Sequence, residues 1–154
     1  MFPSRYGVQS RLVQLRNYVV GPIAEEWVYR ACMNAILAPL QSTTLSLLWP
    51  SLCFSLSHAH HLLQAHQYQI VVLQLGYTSI FGVYASFILI RTGNVFGPMA
   101  CHVFCNIMGL PDFQGWISLP PSSRERRVLN LAYFGGIALF FILLFPLTLA
   151  FLYE

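Results

Sequence analysis

Apolar residues fill this chain in long blocks separated by short polar breaks, and no Asp, Glu, Lys or Arg occurs between Ala31 and Ile90. A helix needs about 20 mostly apolar residues to cross a bilayer. By that measure the clearest spans are Ile70–Ile90 and Val128–Tyr153. A third runs from about Asn17 to Leu40, and a fourth from about Leu45 to Leu63, interrupted by Trp49-Pro50. That proline is expected near a helix start or at a kink, because it has no N–H to give to the preceding turn. A fifth segment, Val95–Leu110, is short for a full crossing and is expected to dip part way or lie aslant. Pro98 falls early in it, as suits a first helical turn. Gly93-Asn94 reads as the turn before it, Leu110-Pro111-Asp112 as the stop after it, and Pro120-Pro121-Ser122-Ser123 as a polar loop before the last helix. No internal repeat or low-complexity tract is evident.

Composition fixes the class that this pattern suggests. Of 154 residues, 56% are hydrophobic and 8% charged, against about 25% charged in an ordinary soluble domain. The expected architecture is an all-α polytopic integral membrane helical bundle of about five segments. Residues 1–16 would form an N-terminal cytosolic segment and residues 17–154 the membrane core. The net charge of +3 comes with arginine as the sole basic residue type, too small and scattered an excess for nucleic-acid binding. Met1 to Arg16 contain no apolar core of a signal peptide, and no C-terminal lipidation box follows. Cys32, Cys53, Cys101 and Cys105 lie in apolar segments without a C-x-x-C pair, and read as small buried hydrophobes. Arg5, Arg11 and Arg16 precede the first helix, and Arg124, Arg126 and Arg127 the last. If the segments alternate, these fall on one side and Arg91 on the other. The positive-inside rule makes the arginine-rich side cytosolic.

Against this background the charges in Pro22-Ile23-Ala24-Glu25-Glu26-Trp27-Val28-Tyr29-Arg30 stand out. A charge at membrane depth costs about 2.5–3.5 kcal/mol by insertion scales and usually marks function. Glu26 and Arg30 are four apart with the acid first, the favourable order for a helical ion pair. Glu25 is turned about 100° away, so it is the better candidate for a working carboxylate. His102 and Asn106 share one face of the fifth segment, and Phe54 sits one turn below His58 in the fourth. In the alternating topology all of these converge on the cytosolic half of the membrane.

A carboxylate and a histidine can hold and deprotonate a water, and a positioned base contributes about 10²–10⁴ in rate. A second histidine and an asparagine amide can meet a developing oxyanion, each donor contributing about 10²–10³. Together they describe peptide hydrolysis by activated water. No Ser–His–Asp set is apparent, and Cys105 near His102 is a poor nucleophile in apolar surroundings. Blander readings exist for each group. The glutamates and Arg30 suit an interfacial helix that never enters lipid. His58, His60, His61 and His66 suit a helix end at the headgroups. His102 and Asn106 suit interhelical hydrogen bonds. Metal is the chemical rival, since Glu25, Glu26, His58, His60, His61 and His102 offer nitrogen and oxygen ligands. However, the His-Glu-x-x-His helix of zinc proteases is missing, and five histidines are too few for desaturase-type boxes. No cofactor or metal is expected.

Glu25-Glu26-x-x-x-Arg30, Phe54-x-x-x-His58 and His102-x-x-x-Asn106, in that order on membrane segments, resemble the motifs of the type II CAAX prenyl endopeptidases, most closely their eukaryotic branch. Leu15–Met33 and Phe81–Pro111 are similar more widely. The resemblance implies a glutamate-dependent intramembrane endopeptidase of the endoplasmic reticulum, multi-pass, with its site open to the cytosol. Such an enzyme removes the last three residues of prenylated C-a-a-X proteins, Ras-type small GTPases above all. By the same resemblance Glu25 activates the water with His58, Glu26 and Arg30 support the site, and His102 and Asn106 form the oxyanion pocket. Family members carry further membrane helices before the first motif, so the chain is expected to correspond to an N-terminally truncated member. The expected partners are prenylated proteins and membrane lipid, with no nucleic acid. Other classes remain open: a non-catalytic membrane scaffold or chaperone of the same fold, and a metal-dependent membrane enzyme.

Overall fold

The computed structural model describes residues 10–37, 39, 42–60 and 68–153, and among these every regular element is helical. The described residues divide into two compact units, the first ending at Met108 and the second beginning at Gly109. The first unit holds α1 (residues 11–37), α2 (Thr43–Ser57), α3 (Tyr68–Thr92) and α4 (Phe96–Met108).

Helix α1 is one continuous helical run whose geometry alternates. Arg11–Leu15, Gly21–Glu26 and Met33–Leu37 are α-helical, while Arg16–Val20 and Trp27–Cys32 are wider π turns. Such turns are rare and gather at functional sites. The helix starts at Arg11, six residues' worth of sequence inside the stretch expected as a separate N-terminal segment; the Ser10 hydroxyl caps it by accepting from the Val13 N–H. Helix α2 starts at a Ser42 cap and carries Pro50 in its interior without ending there. That proline is fully buried, and its missing N–H leaves the Ser46 carbonyl without its usual intrahelical donor. The helix then gives way at His58 to a tight turn, His58–His60, earlier than the expected end at Leu63. His61 and His66 lie outside the described residues.

Helices α2 and α3 form an antiparallel hairpin along a seam of small residues. Ser51 and Ser55 on α2 face Thr78 and Gly82 on α3, each set spaced by four. The Ser55 hydroxyl donates to the Leu75 carbonyl at 2.8 Å and lies 3.2 Å from the Thr78 hydroxyl. At Gly82 the backbones approach so closely that a Cβ there would stand 2.9 Å from Ser51 Cβ. Small residues are how helices pack when lipid removes the hydrophobic drive for association. Gly93, with φ of 64°, reverses the chain after α3. The Asn94 side chain accepts from the Phe96 N–H at 2.8 Å to start α4, with buried Pro98 in its first turn. Both features are where the sequence places them.

In the second unit, α5 (Phe113–Ser118) is a short helix capped by Asp112, where only a stop was expected. Helix α6 (Arg124–Leu147) is capped by Ser123. The Trp116 indole N–H donates to Asn130 at 2.8 Å, and the Arg126 guanidinium donates to the Leu119 carbonyl.

The distribution of polarity is inverted relative to a soluble domain. The buried side chains of the first unit include Glu26, Arg30, Asn34, Ser46, Ser51, Ser55, Thr78, Ser86, Thr92 and His102, against a few apolar ones such as Phe54, Val71 and Ile88. Leu12, Val20, Trp27, Val28, Leu56, Val72, Leu73 and Ile80 are exposed. A polar interior with an apolar exterior suits a lipid environment, where buried polar groups mark the protein-facing side. Among the described residues, Val71–Thr92 and Arg124–Leu147 are long and apolar enough to cross a membrane, and Phe96–Met108 is a shorter apolar helix.

Candidate active site

Helix α1 supplies the carboxylates. The π turn beginning at Trp27 holds Arg30, and because such a turn has more residues than an α turn, residues four apart stand closer to one line. Arg30 Nε lies 3.0 Å from Glu26 Oε2, with both side chains fully buried. The pair expected from the spacing is therefore present. It is a charge contact without hydrogen-bond alignment.

The other Glu26 oxygen is taken by a distant residue. His102 on α4 brings Nδ1 to 2.7 Å from Glu26 Oε1. A carboxylate only accepts, so Nδ1 carries the proton in this contact. His102 Nε2 then faces Glu25, whose Oε2 is 3.7 Å away. That is beyond direct hydrogen-bond range, but a water about 2.8 Å from each atom would touch both. Glu25 keeps 40% of its side chain exposed while Glu26 keeps none. A buried relay of Arg30, Glu26 and His102 thus ends at an accessible carboxylate. In such a relay the buried acid fixes the imidazole's tautomer and orientation, as in the serine protease triad.

Phe54 is the hub of this arrangement. It is 1% exposed, and the Arg30 guanidinium sits 4.4 Å from the centre of its ring, a cation–π geometry. The rings of Tyr29, His58 and His102 meet it edge-on at 5.5, 5.0 and 5.6 Å. Phe81 on α3 packs 4.9 Å from His102. His58, on the other side of Phe54, brings Nδ1 to 3.0 Å from the Phe54 carbonyl. A carbonyl accepts, so in the neutral ring Nε2 is the acceptor nitrogen.

Asn106, four residues beyond His102, donates its amide to the Asn17 carbonyl at 3.2 Å and is exposed. The reason lies in α1. The Gly21 N–H reaches back to the Arg16 carbonyl, and residue 22 is a proline with no N–H. The two residues that would ordinarily supply Asn17 O therefore do not, and Asn106 does. An amide has two N–H donors, so this bond leaves one for other work.

The structure thus gathers Glu25, Glu26, Arg30, Phe54, His58 and His102, and ties Asn106 to the same helix pair one end further along. Sequence reasoning missed Phe81, Tyr29, Asn17 and Asn34. Of these, Tyr29 falls four residues after Glu25, and Asn34 four after Arg30 and eight after Glu26. Among the described residues no group of three His, Cys, Asp or Glu side chains comes together that could hold a metal ion. Both Glu26 oxygens are engaged by Arg30 and His102.

Residues 8–108 match the family described as type II CAAX prenyl endopeptidase, Rce1-like. The chain is 38% identical to CAAX prenyl protease 2 of Homo sapiens over 143 residues, which is 87% of this chain and 42% of the human protein. It is 40% identical to CAAX prenyl protease 2 of Arabidopsis thaliana, over 90% of this chain and 45% of that protein. For CAAX prenyl protease 2 of Caenorhabditis elegans the identity is 36%, over 84% of this chain and 52% of the relative. The chain thus spans about half the length of the curated relatives it matches. No solved structure matches it. The matched region contains the whole glutamate–histidine relay and the four helices that build it, and the chain is a membrane protein belonging to the type II CAAX prenyl endopeptidase, Rce1-like, family.

Proposed function

We propose that this chain carries the catalytic core of an endopeptidase that removes the C-terminal tripeptide from prenylated C-a-a-X proteins, Ras-type small GTPases among them. The observation that carries the reading is the contrast between the glutamates: Glu26 is fully buried between Arg30 and His102, whereas neighbouring Glu25 is 40% exposed and 3.7 Å from His102 Nε2. An accessible carboxylate beside an oriented imidazole suits general-base catalysis.

In this mechanism Glu25 takes a proton from a water as the water oxygen attacks the scissile carbonyl carbon. His58 helps to hold that water through its acceptor nitrogen. The negative charge that develops on the carbonyl oxygen is met by the second N–H of the Asn106 amide and by His102, whose Nδ1–H is held by Glu26, through the Nε2–H of the doubly protonated ring. Collapse of the tetrahedral intermediate breaks the C–N bond, and Glu25 returns its proton to the leaving amine. Glu26 and Arg30 orient His102 and touch no substrate. The polar site among lipid-facing helices suits a substrate with a lipid tail and a soluble peptide. The arginine pattern favours a site opening to the cytosol, and the endoplasmic reticulum as its membrane rests on the resemblance to the family.

The test is a cleavage assay in membranes lacking endogenous activity, using a farnesylated C-a-a-X peptide and its unprenylated twin. Release of the tripeptide from the prenylated peptide alone, abolished by Glu25→Ala, is the expected result. Cleavage that survives Glu25→Ala would overturn the assignment of the base. No release from a correctly inserted chain, followed by release once N-terminal helices of a relative are joined to it, would assign the activity to the longer protein. No release in either form would favour a scaffold.

A further inference from the structure

Under the peptidase reading proposed above, the substrate brings a charge of its own. Its C-terminal carboxylate stands three residues past the scissile bond, at most about 11 Å away along an extended chain. The site already holds Glu25 and Glu26, and Arg30 is buried against Glu26. A third carboxylate therefore needs a further cation nearby. The planar fork of an arginine matches the two oxygens of a carboxylate, and the chain contains no lysine.

The described arginines of the first unit are Arg11, Arg16, Arg30 and Arg91, and their places separate them. Arg30 is fully buried. Arg91 lies in the last turn of α3, at the end where α4 begins, whereas Asn106 lies near the other end of α4. Arg16 is exposed and is linked to the site by two contacts. Its Nε donates to the Asn17 side-chain oxygen at 3.0 Å, and the Asn17 carbonyl accepts from Asn106 at 3.2 Å. The Arg16 carbonyl is held by the Gly21 N–H, which fixes the base of the side chain. A guanidinium has five N–H donors, and the contact to Asn17 takes one. Nine positions separate Arg16 from Glu25, roughly 13 Å of helix at the α rise. Three extended residues and the arginine arm together span that length. Arg11 is five positions further off, about 7 Å more.

We propose that Arg16 binds the C-terminal carboxylate of the substrate, with the three departing residues laid along α1 from Glu25 toward its start. The scissile carbonyl then meets Asn106, while the chain end meets Arg16 beside the same Asn17. A free chain end held at that distance from Glu25 selects substrates that finish three residues past the bond to be cut. Arg16 touches the departing tripeptide and none of the reacting atoms, so its contribution is to binding and specificity.

The experiment measures equilibrium binding to the full chain in lipid nanodiscs, in a Glu25→Gln background so that the peptide stays whole. Two fluorescent farnesylated C-a-a-X peptides are compared, one with a free C-terminal carboxylate and one amidated, and the signal of empty nanodiscs is subtracted. The acid is expected to bind about 5- to 10-fold more tightly than the amide. Arg16→Gln is expected to bring that ratio close to one, Arg16→Lys to restore part of it, and Arg11→Gln to leave it unchanged. A ratio near one with Arg16 present overturns the proposal, as does a ratio that survives Arg16→Gln. Equal loss in Arg11→Gln also overturns it, because overall positive charge would then be the selector. So does the absence of any binding above empty nanodiscs. Binding needs no turnover: a chain that shows the ratio but releases no tripeptide with Glu25 intact fails the peptidase reading and keeps Arg16 as a carboxylate site.

Discussion

Glu25 and Glu26 are the same residue type, adjacent in the chain and both near His102, but Glu26 is fully buried against Arg30 while Glu25 is partly exposed, and this separates their expected mutant phenotypes. Glu26→Gln keeps the shape of the residue and a carbonyl for His102, but leaves the Arg30 charge buried and unpaired. Breaking a buried pair in this way costs about 3–5 kcal/mol, so thermal unfolding in detergent is expected to shift sharply downward. Glu25→Gln touches a partly exposed group, and the shift expected is within about 0.5 kcal/mol. In the cleavage assay Glu25→Gln is expected to lower kcat by about 10²–10⁴. For Asn106→Ala, kcat is expected to fall by about 10²–10³ with KM little changed; a rise in KM alone would make Asn106 a binding or structural residue. The sequence made the Glu26–Arg30 pair legible because four residues on one helix is a local relation. The bond from His102 to Glu26 spans 76 positions, and no spacing rule reaches that far. Hence the sequence reading gave His102 to the oxyanion without seeing that Glu26 orients it.

Among the helices, α1 and the α2–α3 hairpin carry the information that periodicity alone lacks. A hydrophobic pattern distinguishes helix from strand, but not an α turn from a π turn, and both π turns of α1 lie within apolar stretches. Pro22 was visible, yet its effect on Asn17 emerges only with the Gly21 N–H bonded to Arg16. Pro22→Ala restores an N–H, offers Asn17 O a donor within its own helix, and competes with Asn106. Faster hydrogen exchange at the α4 C-terminus is the expected consequence. The turn at Gly93 and the Pro98 start were readable because they depend on local backbone chemistry. In the hairpin, Gly82→Ala brings a methyl against Ser51 and Arg30. Overpacking of this kind costs about 1–3 kcal/mol. Ser51→Gly removes the nearer clash at Cβ but not the one at Ser51 Cα, 3.0 Å from the same position. A partial recovery of the melting temperature in the double variant is therefore expected, and full additivity would show that the two sites do not touch.

For the molecule as a whole, composition alone announced the lipid environment, and the inverted polarity of the first unit agrees with it. Topology is testable with single cysteines in a cysteine-free background. Ser10→Cys and Asn94→Cys are expected to react with a membrane-impermeant maleimide from opposite faces of the membrane if α1, α2 and α3 cross it alternately, and from the same face if they do not. The polar interior also has a thermodynamic consequence. When the helices of a soluble bundle separate, hydrocarbon meets water and the heat capacity rises steeply, which bends the stability curve. Here the apolar surfaces of α1, α2 and α3 face lipid whether or not the helices are packed, and what separation uncovers is chiefly serine, threonine, asparagine and charge. Separation within the bilayer brings little apolar surface to water, so the heat capacity changes little. Calorimetry in bilayers is therefore expected to find a stability that falls almost linearly with temperature, with no cold-denaturation arm.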